Sequence, residues 1–277
     1  MNKIIKIFLY VFGVMFPAFL ILAGFFFFKH YQTQILVDAL VNDALKFKKN
    51  LTDEGKALKI SQRIFLETDN LINRADLDWY SRWEATGYFN MTTSVGLEYN
   101  CYGIDGEDGD GPCGTMTKIF LVTMWDQNIR ARKLQLEAVN EHGGHTMAEF
   151  YYLGKWRVIS PSDSSFVWRN HSGEIATVEE IRNDTSIFKQ IFNHKSDWPY
   201  SFKETSNINW EKLPTLVVSV IRFFIGEEAY ENAETPRLYE QPRRLLSLLF
   251  LALSILTFVI WFYLFRKSRK MHRVNKV

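Results

Sequence analysis

Two long apolar runs flank a stretch in which polar and apolar positions alternate with the periods of ordinary secondary structure. Ile7 to Phe28 is 22 residues without a charge, and Leu245 to Phe265 is 21. At ~1.5 Å per residue each run can cross ~30 Å of hydrocarbon as a helix. A buried core helix is the other origin of such a run, but the cations beside both argue against it. A cleaved signal peptide is the rival for the first run. Signal cores are usually ~7–15 residues and end in small residues, whereas this one ends in Phe25, Phe26, Phe27 and Phe28. Residues 1–29 are therefore expected to form an uncleaved anchor and residues 245–265 a second membrane helix, followed by a basic tail, 266–277.

Between the spans, residues 30–244 read as one mixed α and β domain with its core at about 54–192. Ile35, Leu36, Ala39, Leu40 and Ala44 or Leu45 recur near a 3.6 period and predict a helix over 32–49, leaving the membrane. Asp53 and Glu54 suit a helix N-terminus, and Leu58, Ile60, Ile64, Phe65, Leu71 and Ile72 carry the helical period to Arg74. Trp79, Tyr80, Trp83, Tyr88 and Phe89 form an aromatic group without periodicity, expected in the core. Residues 103–111 are a loop by composition. Gly114 to Gln127 is almost uniformly apolar, which predicts a helix buried on most sides, with Asn128 placed to end it in the αL conformation.

A strand-like alternation follows from Ile129 to Ala138. In the next strand His145, Met147 and Glu149 share one face, and Thr146, Ala148 and Phe150 share the other. A break at Gly154-Lys155 then leads into Trp156 to Ile159. Thr177 to Phe192 reads as helical. Leu213 to Ile225 is apolar except for Thr215, Ser219 and Arg222. At 13 residues it is too short to span, so it is either a core helix or one lying against the bilayer surface. No internal repeat is visible.

Charge sets the orientation. The formal net charge is +2, yet nine of the 33 basic residues and none of the 31 acidic ones lie in 1–29 and 245–277. Residues 30–244 therefore carry a net −7, which argues against a nucleic-acid surface, because phosphate binding needs a basic patch. Arg266, Lys267, Arg269, Lys270, Arg273 and Lys276 crowd the tail, and Lys3 and Lys6 precede the first span. By the positive-inside rule both ends are cytoplasmic, although Lys29 and Arg243-Arg244 sit on the opposite flanks. The expected location is the cell membrane, or the inner membrane of a Gram-negative envelope, with residues 30–244 extracytoplasmic.

Cys101 and Cys113 are the two cysteines. An extracytoplasmic compartment permits a disulfide between them. The setting of Cys113 points elsewhere: it follows Gly111-Pro112, precedes Gly114 and opens the buried helix. The positive end of a helix dipole and its orphan N–H groups lower a thiol's pKa, which is how a nucleophilic cysteine is made.

Gly-Pro-Cys113-Gly opens that helix, Asn-Ile-Arg-Ala-Arg enters a strand, and Gly143-Gly144-His145-Thr-Met-Ala-Glu149 and Gly154-Lys-Trp156-Arg-Val-Ile-Ser-Pro161 follow. This order and spacing, over residues 111–163, resembles the transglutaminase-like superfamily. The resemblance implies an α+β, papain-like core, a buried helix starting at the cysteine and packed on an antiparallel sheet, here lying between two transmembrane helices. It implies Cys113 as nucleophile and His145 as general base, with His142 a poor rival. The chain departs from the family at Met147, where an aromatic residue is usual, and at Ser160-Pro161, where Asp-Pro is usual. Ser160 can orient an imidazole but brings no charge, whereas Asp163 offers a carboxylate if the chain bends after Pro161.

The implied chemistry is acyl transfer or hydrolysis of an amide through a cysteine thioester, acting on peptides or a cell-envelope polymer, without cofactor or metal. Asp105, Glu107, Asp108 and Asp110 precede the cysteine; their first reading is a solvated loop, the alternative is a charge that favours cationic substrates, and their spacing misses that of an EF-hand. The alternative is a catalytically decayed domain serving as an interaction module in the envelope. A redox protein ranks last, because no Cys-x-x-Cys is present.

Overall fold

The computed structural model describes residues 3–46, 50–66, 71–73, 100–102, 113–138, 144–163, 167–192, 200–208, 210, 214–231, 233–234, 237–238 and 241–274. The aromatic group at 79–89, the acidic stretch 103–111 and His142 lie outside the described residues. In chain order the elements are α1 (Lys3–Leu45), α2 (Asp53–Leu66), β1 (Leu71–Asn73), β2 (Asn100–Tyr102), α3 (Cys113–Asp126), β3 (Ala131–Ala138), β4 (Gly144–Tyr152), β5 (Lys155–Ile159), α4 (Val178–Asn183), α5 (Thr185–Phe192), β6 (Tyr200–Ser206), α6 (Thr215–Ile225), α7 (Glu227–Glu231) and α8 (Pro242–Val274). They fall into two compact units, Met1–Gln32 with Gln241–Val277, and Thr33–Glu240.

The first unit pairs the beginning of α1 with α8. Both helices are long and apolar enough to cross a membrane, with windows of mean hydropathy 2.4 and 2.6. Only 11% and 22% of those windows are buried, so their apolar sides face outward rather than into a protein core. The helices run antiparallel: Ser254 Oγ donates to Phe16 O at 3.2 Å, Ser247 Oγ to Ala23 O at 3.1 Å and Arg243 Nη1 to Lys29 O at 3.1 Å. Hydroxyl-to-carbonyl bonds of this kind join helices where lipid offers polar groups no other partner. Gly13 lets the pair close, since a Cβ there would meet Trp261 Nε1 at 3.3 Å. The sequence suggests a span and then a separate helix over 32–49; the structure has one helix of 43 residues, because nothing between Phe28 and Gln32 breaks it.

The second unit is built on a four-stranded antiparallel sheet in the order β5-β4-β3-β6. Period-two alternation sends successive side chains to opposite faces, and each face is covered. On one, Ala131, Ala148, Phe150 and Ile159 pack with Met116, Ile119, Phe120 and Met124 of α3, which α2 backs through Ala57, Ile60 and Ile64. On the other, Leu134, Leu136, Met147, Val158 and Phe202 pack with Trp168, Ile181 and Ile187. Together with the two apolar helices near its ends, the chain is thus α+β.

The predicted elements translate with identifiable changes. α3 begins at Cys113 and is buried without interruption from Thr115 to Trp125, as its uniformly apolar sequence requires. Asn128 ends it at φ 58°, and Ile129 N–H reaches back to Met124 O at 2.9 Å. The β4–β5 turn uses Leu153 and Gly154, both at positive φ, the conformation that suits a two-residue hairpin. The helix expected to reach Arg74 stops at Leu66, and Leu71–Asn73 instead pairs in parallel with β2. Thr68, Asp69 and Asn70 are residue types that disfavour a helix interior, a sequence signal against a helix continuing to Arg74. The single helix expected over Thr177–Phe192 is two. Thr177 closes a full capping box with Glu180 at the start of α4. Asp184 ends α4 and accepts from Ser186 N and Oγ to start α5. Strand β6 is additional to the predicted elements.

Candidate active site

Cys113 sits half-buried at the first position of α3, with no acidic residue in the first turn to oppose the positive helix end. Core packing on all sides fixes the axis of this helix. Its second turn is tied to β4 by Thr117, which is fully buried and whose Oγ1 donates to Thr146 O at 3.0 Å. That bond holds the helix that begins at Cys113 against the residue next to His145. The Cys113 thiol is free, so the alternative of a structural disulfide to Cys101 is not realised.

His145 stands at the start of β4, opposite Leu136 of β3, and is buried. Its Nε2 lies 3.2 Å from Asp163 Oδ2. The same imidazole hydrogen-bonds the Cys113 thiol. Because Nε2 faces the carboxylate, Nδ1 is the nitrogen left for the sulfur.

Asp163 arrives by a tight turn. Asp163 N–H bonds Ser160 O at 3.4 Å, closing Ser160-Pro161-Ser162-Asp163 with proline in the second position, where its fixed φ favours a β-turn. The bend after Pro161 returns the carboxylate to the end of β5. Ser160, fully buried at the place where the family pattern has Asp, donates its hydroxyl to Asp163 Oδ2. The carboxylate beside the imidazole is therefore Asp163, and Ser160 supports it. Met147, the other departure from the family pattern, fills the second core cluster between Leu134 and Trp168.

The electrostatics follow from these contacts. Burial pushes the His145 imidazolium down, but hydrogen bonds to Asp163 and Cys113 and the charges of both outweigh it and raise its pKa to about 9. Burial pushes the Cys113 thiol up. The hydrogen bond and charge of His145 and backbone hydrogen bonds from Thr146 and Gly114 oppose that, and the thiol lies below its ordinary value. Only donors favour a thiolate, so those backbone groups are the N–H groups of Thr146 and Gly114. Both shifts favour a thiolate–imidazolium pair near neutral pH.

The Gly114 N–H is one of the orphan helix-start donors that the sequence places beside the thiol. Two participants carry no such indication: the N–H of Thr146, and Tyr200. The Tyr200 ring stacks on His145 at 5.9 Å between centroids and 29° between planes, covering the imidazole from β6. The alternation Tyr200, Ser201, Phe202, Lys203 is the signal that could have revealed that strand.

Glu149 is a different kind of buried carboxylate. Burial raises its pKa, while Arg132, 2.7 Å away, and Asn207 counter the shift; it cross-braces β3 and β4. Among the described residues no group of three His, Cys, Asp or Glu side chains is placed to hold a metal ion.

No protein-family model matches the chain, and no curated protein matches it in sequence. Among solved structures it is similar to one described as "Crystal structure of a TGase", with a TM-score of 0.31 and 14% identity, over 61% of this chain and 37% of that one. The match thus spans little more than a third of that protein. At this level the similarity carries no weight, and the site rests on its own geometry.

Proposed function

We propose that the chain is a membrane-anchored, transglutaminase-like thiol enzyme that transfers or hydrolyses an acyl group held in an amide bond. The observation that carries the reading is the Cys113–His145–Asp163 chain of hydrogen bonds at the start of a buried helix. In the proposed reaction the Cys113 thiolate attacks the carbonyl carbon and the C=O electrons move to oxygen. The orphan N–H groups in the first turn of α3 stabilise that oxyanion. As the C–N bond breaks, His145 gives its Nδ1 proton to the leaving amine, and a thioester and a neutral imidazole remain. Water or a second amine then attacks the thioester while His145 takes its proton, and collapse releases the acid or new amide with the thiolate–imidazolium pair restored. Asp163 holds the ring and favours its charged form.

Peptides or a cell-envelope polymer are the proposed substrates. The cation placement supports a topology with both termini cytoplasmic and residues 30–244 outside. The alternative of a decayed interaction module drew its force from Ser160; the carboxylate of Asp163 beside His145 favours the enzyme.

The test is covalent labelling. At neutral pH a thiol-reactive acylating or alkylating probe, followed by intact mass, should modify Cys113 rapidly. Cys113→Ala should abolish the adduct and Cys101→Ala should leave it. An adduct that survives Cys113→Ala, or a Cys113 no faster than free cysteine, would overturn the proposal.

A further inference from the structure

α6 is an 11-residue helix that is apolar yet contains no buried residue. Its sequence admits two roles, a core helix or one lying against a bilayer, and the lack of burial removes the first. At 100° per residue, Leu216, Val217, Val220, Phe223 and Phe224 fall on one broad face. That face looks outward: Leu216 is 76% exposed, Phe223 82% and Phe224 79%. The far side mixes Thr215 and Arg222 with Val218 and Ile225, Ser219 lies on the flank, and Arg222 is paired with Glu227 just past the helix end.

We propose that α6 is an interfacial helix that lies in the plane of the membrane anchoring the chain, its Leu216–Phe223–Phe224 face sunk among the acyl chains. The inference rests on the membrane-anchored reading above. Four observations select lipid over other occupants. The helix is bounded by Pro214 and by Gly226 at φ 81°, so it ends too short to span a bilayer, which needs about 20 residues. It is joined to α8, a helix apolar enough to cross a membrane, by residues 226–241. Trp210 and Tyr230, on either side of α6 in sequence, stack at 4.4 Å, and Arg222 lies 5.1 Å over the Tyr230 ring. Aromatic rings and a snorkelling arginine beside an apolar face are the residue types that settle at the headgroup level.

The full chain, with Cys101→Ala and Cys113→Ala making a single label unique, is reconstituted in vesicles of phosphatidylcholine and phosphatidylglycerol. Flotation after an alkaline carbonate wash checks the anchoring on which the inference rests: a chain left at the bottom of the gradient rejects that reading. On floated protein an environment-sensitive fluorophore is placed at Phe223→Cys, at Leu216→Cys and, for reference, at His171→Cys, where the native side chain is 78% exposed. Labels at 216 and 223 should be quenched by a nitroxide near the top of the lipid acyl chain and be several-fold less open to aqueous iodide than the label at 171. Equal iodide access at 223 and 171 overturns the proposal while leaving the anchoring intact. So does quenching that comes from a nitroxide on a second copy of the chain and not from lipid.

Discussion

What surrounds a thiol and an imidazole sets which of them holds the proton. Burial alone would push Cys113 toward the neutral thiol and His145 toward the neutral ring. Their mutual hydrogen bond, the Asp163 carboxylate and two backbone donors reverse both tendencies. The sign for activity follows directly. Between the lowered pKa of Cys113 and the raised one of His145 the pair is ionised, so turnover should form a plateau. It should fall at low pH as the thiolate is protonated, and at high pH, near about 9, as the imidazolium loses the proton that the leaving amine needs. Asp163→Ala removes a group that raises the His145 value, so the alkaline limb should move down, and the rate should drop by as much as the ~10⁴-fold seen when a triad carboxylate is altered. Ser160→Ala, which deletes only a donor to that carboxylate, should cost much less. Steady-state rates across pH for the two variants check both statements; equal losses would mean that Ser160 and Asp163 act as one unit.

The elements determine whether these groups meet. α3 is held by its buried stretch, and Thr117 pins it to β4 one residue from His145. Thr117→Val keeps the volume and deletes the bond, so stability should fall by about 1 kcal/mol. Alkylation of Cys113 should slow as well, because the register between thiol and imidazole loosens; thermal melts and labelling rates on one preparation check this. α4 and α5 cover the far face of the sheet around Trp168 and have no direct part in the site. Thr177→Ala breaks the capping box and should lower stability by ~1 kcal/mol with labelling of Cys113 unchanged. Arg132→Leu is more severe. It leaves the Glu149 carboxylate buried without its cation, a change that costs roughly 3–5 kcal/mol, and protein yield and melting temperature should both drop.

At the scale of the whole molecule the two apolar helices near the ends of the chain form a compact unit of their own. The antiparallel pairing of the α1 beginning with α8 is self-contained, with serine hydroxyls and a glycine contact joining the helices. If the charges orient this pair as proposed, a reporter active only outside the cytoplasm should work when fused near residue 140 and fail when fused at Val277. The reverse pattern would place the thiol in a reducing compartment and overturn the envelope substrate with it.

What the sequence determined by itself rests on local rules. Uncharged length and flanking cations identify the two apolar end helices, uniform hydrophobicity gives the buried helix at Cys113, and period-two alternation gives β3, β4 and β5. The spacing of Cys113 and His145 within recognisable blocks singles both residues out before any fold is drawn. Tertiary structure decided the rest, because each remaining feature depends on groups brought together from separate segments. Asp163 sits beside a histidine 18 residues earlier only because a proline turn folds it back onto the end of β5. Tyr200 covers the same ring only once β6, whose own alternation is local, pairs with β3 across the sheet. Leu71 and Ile72 fit a helical repeat, yet they become strand because pairing with β2 satisfies their backbone. For α6 the composition suits a core and a membrane surface equally, and only the absence of burial, a property of the fold and not of the segment, separates them.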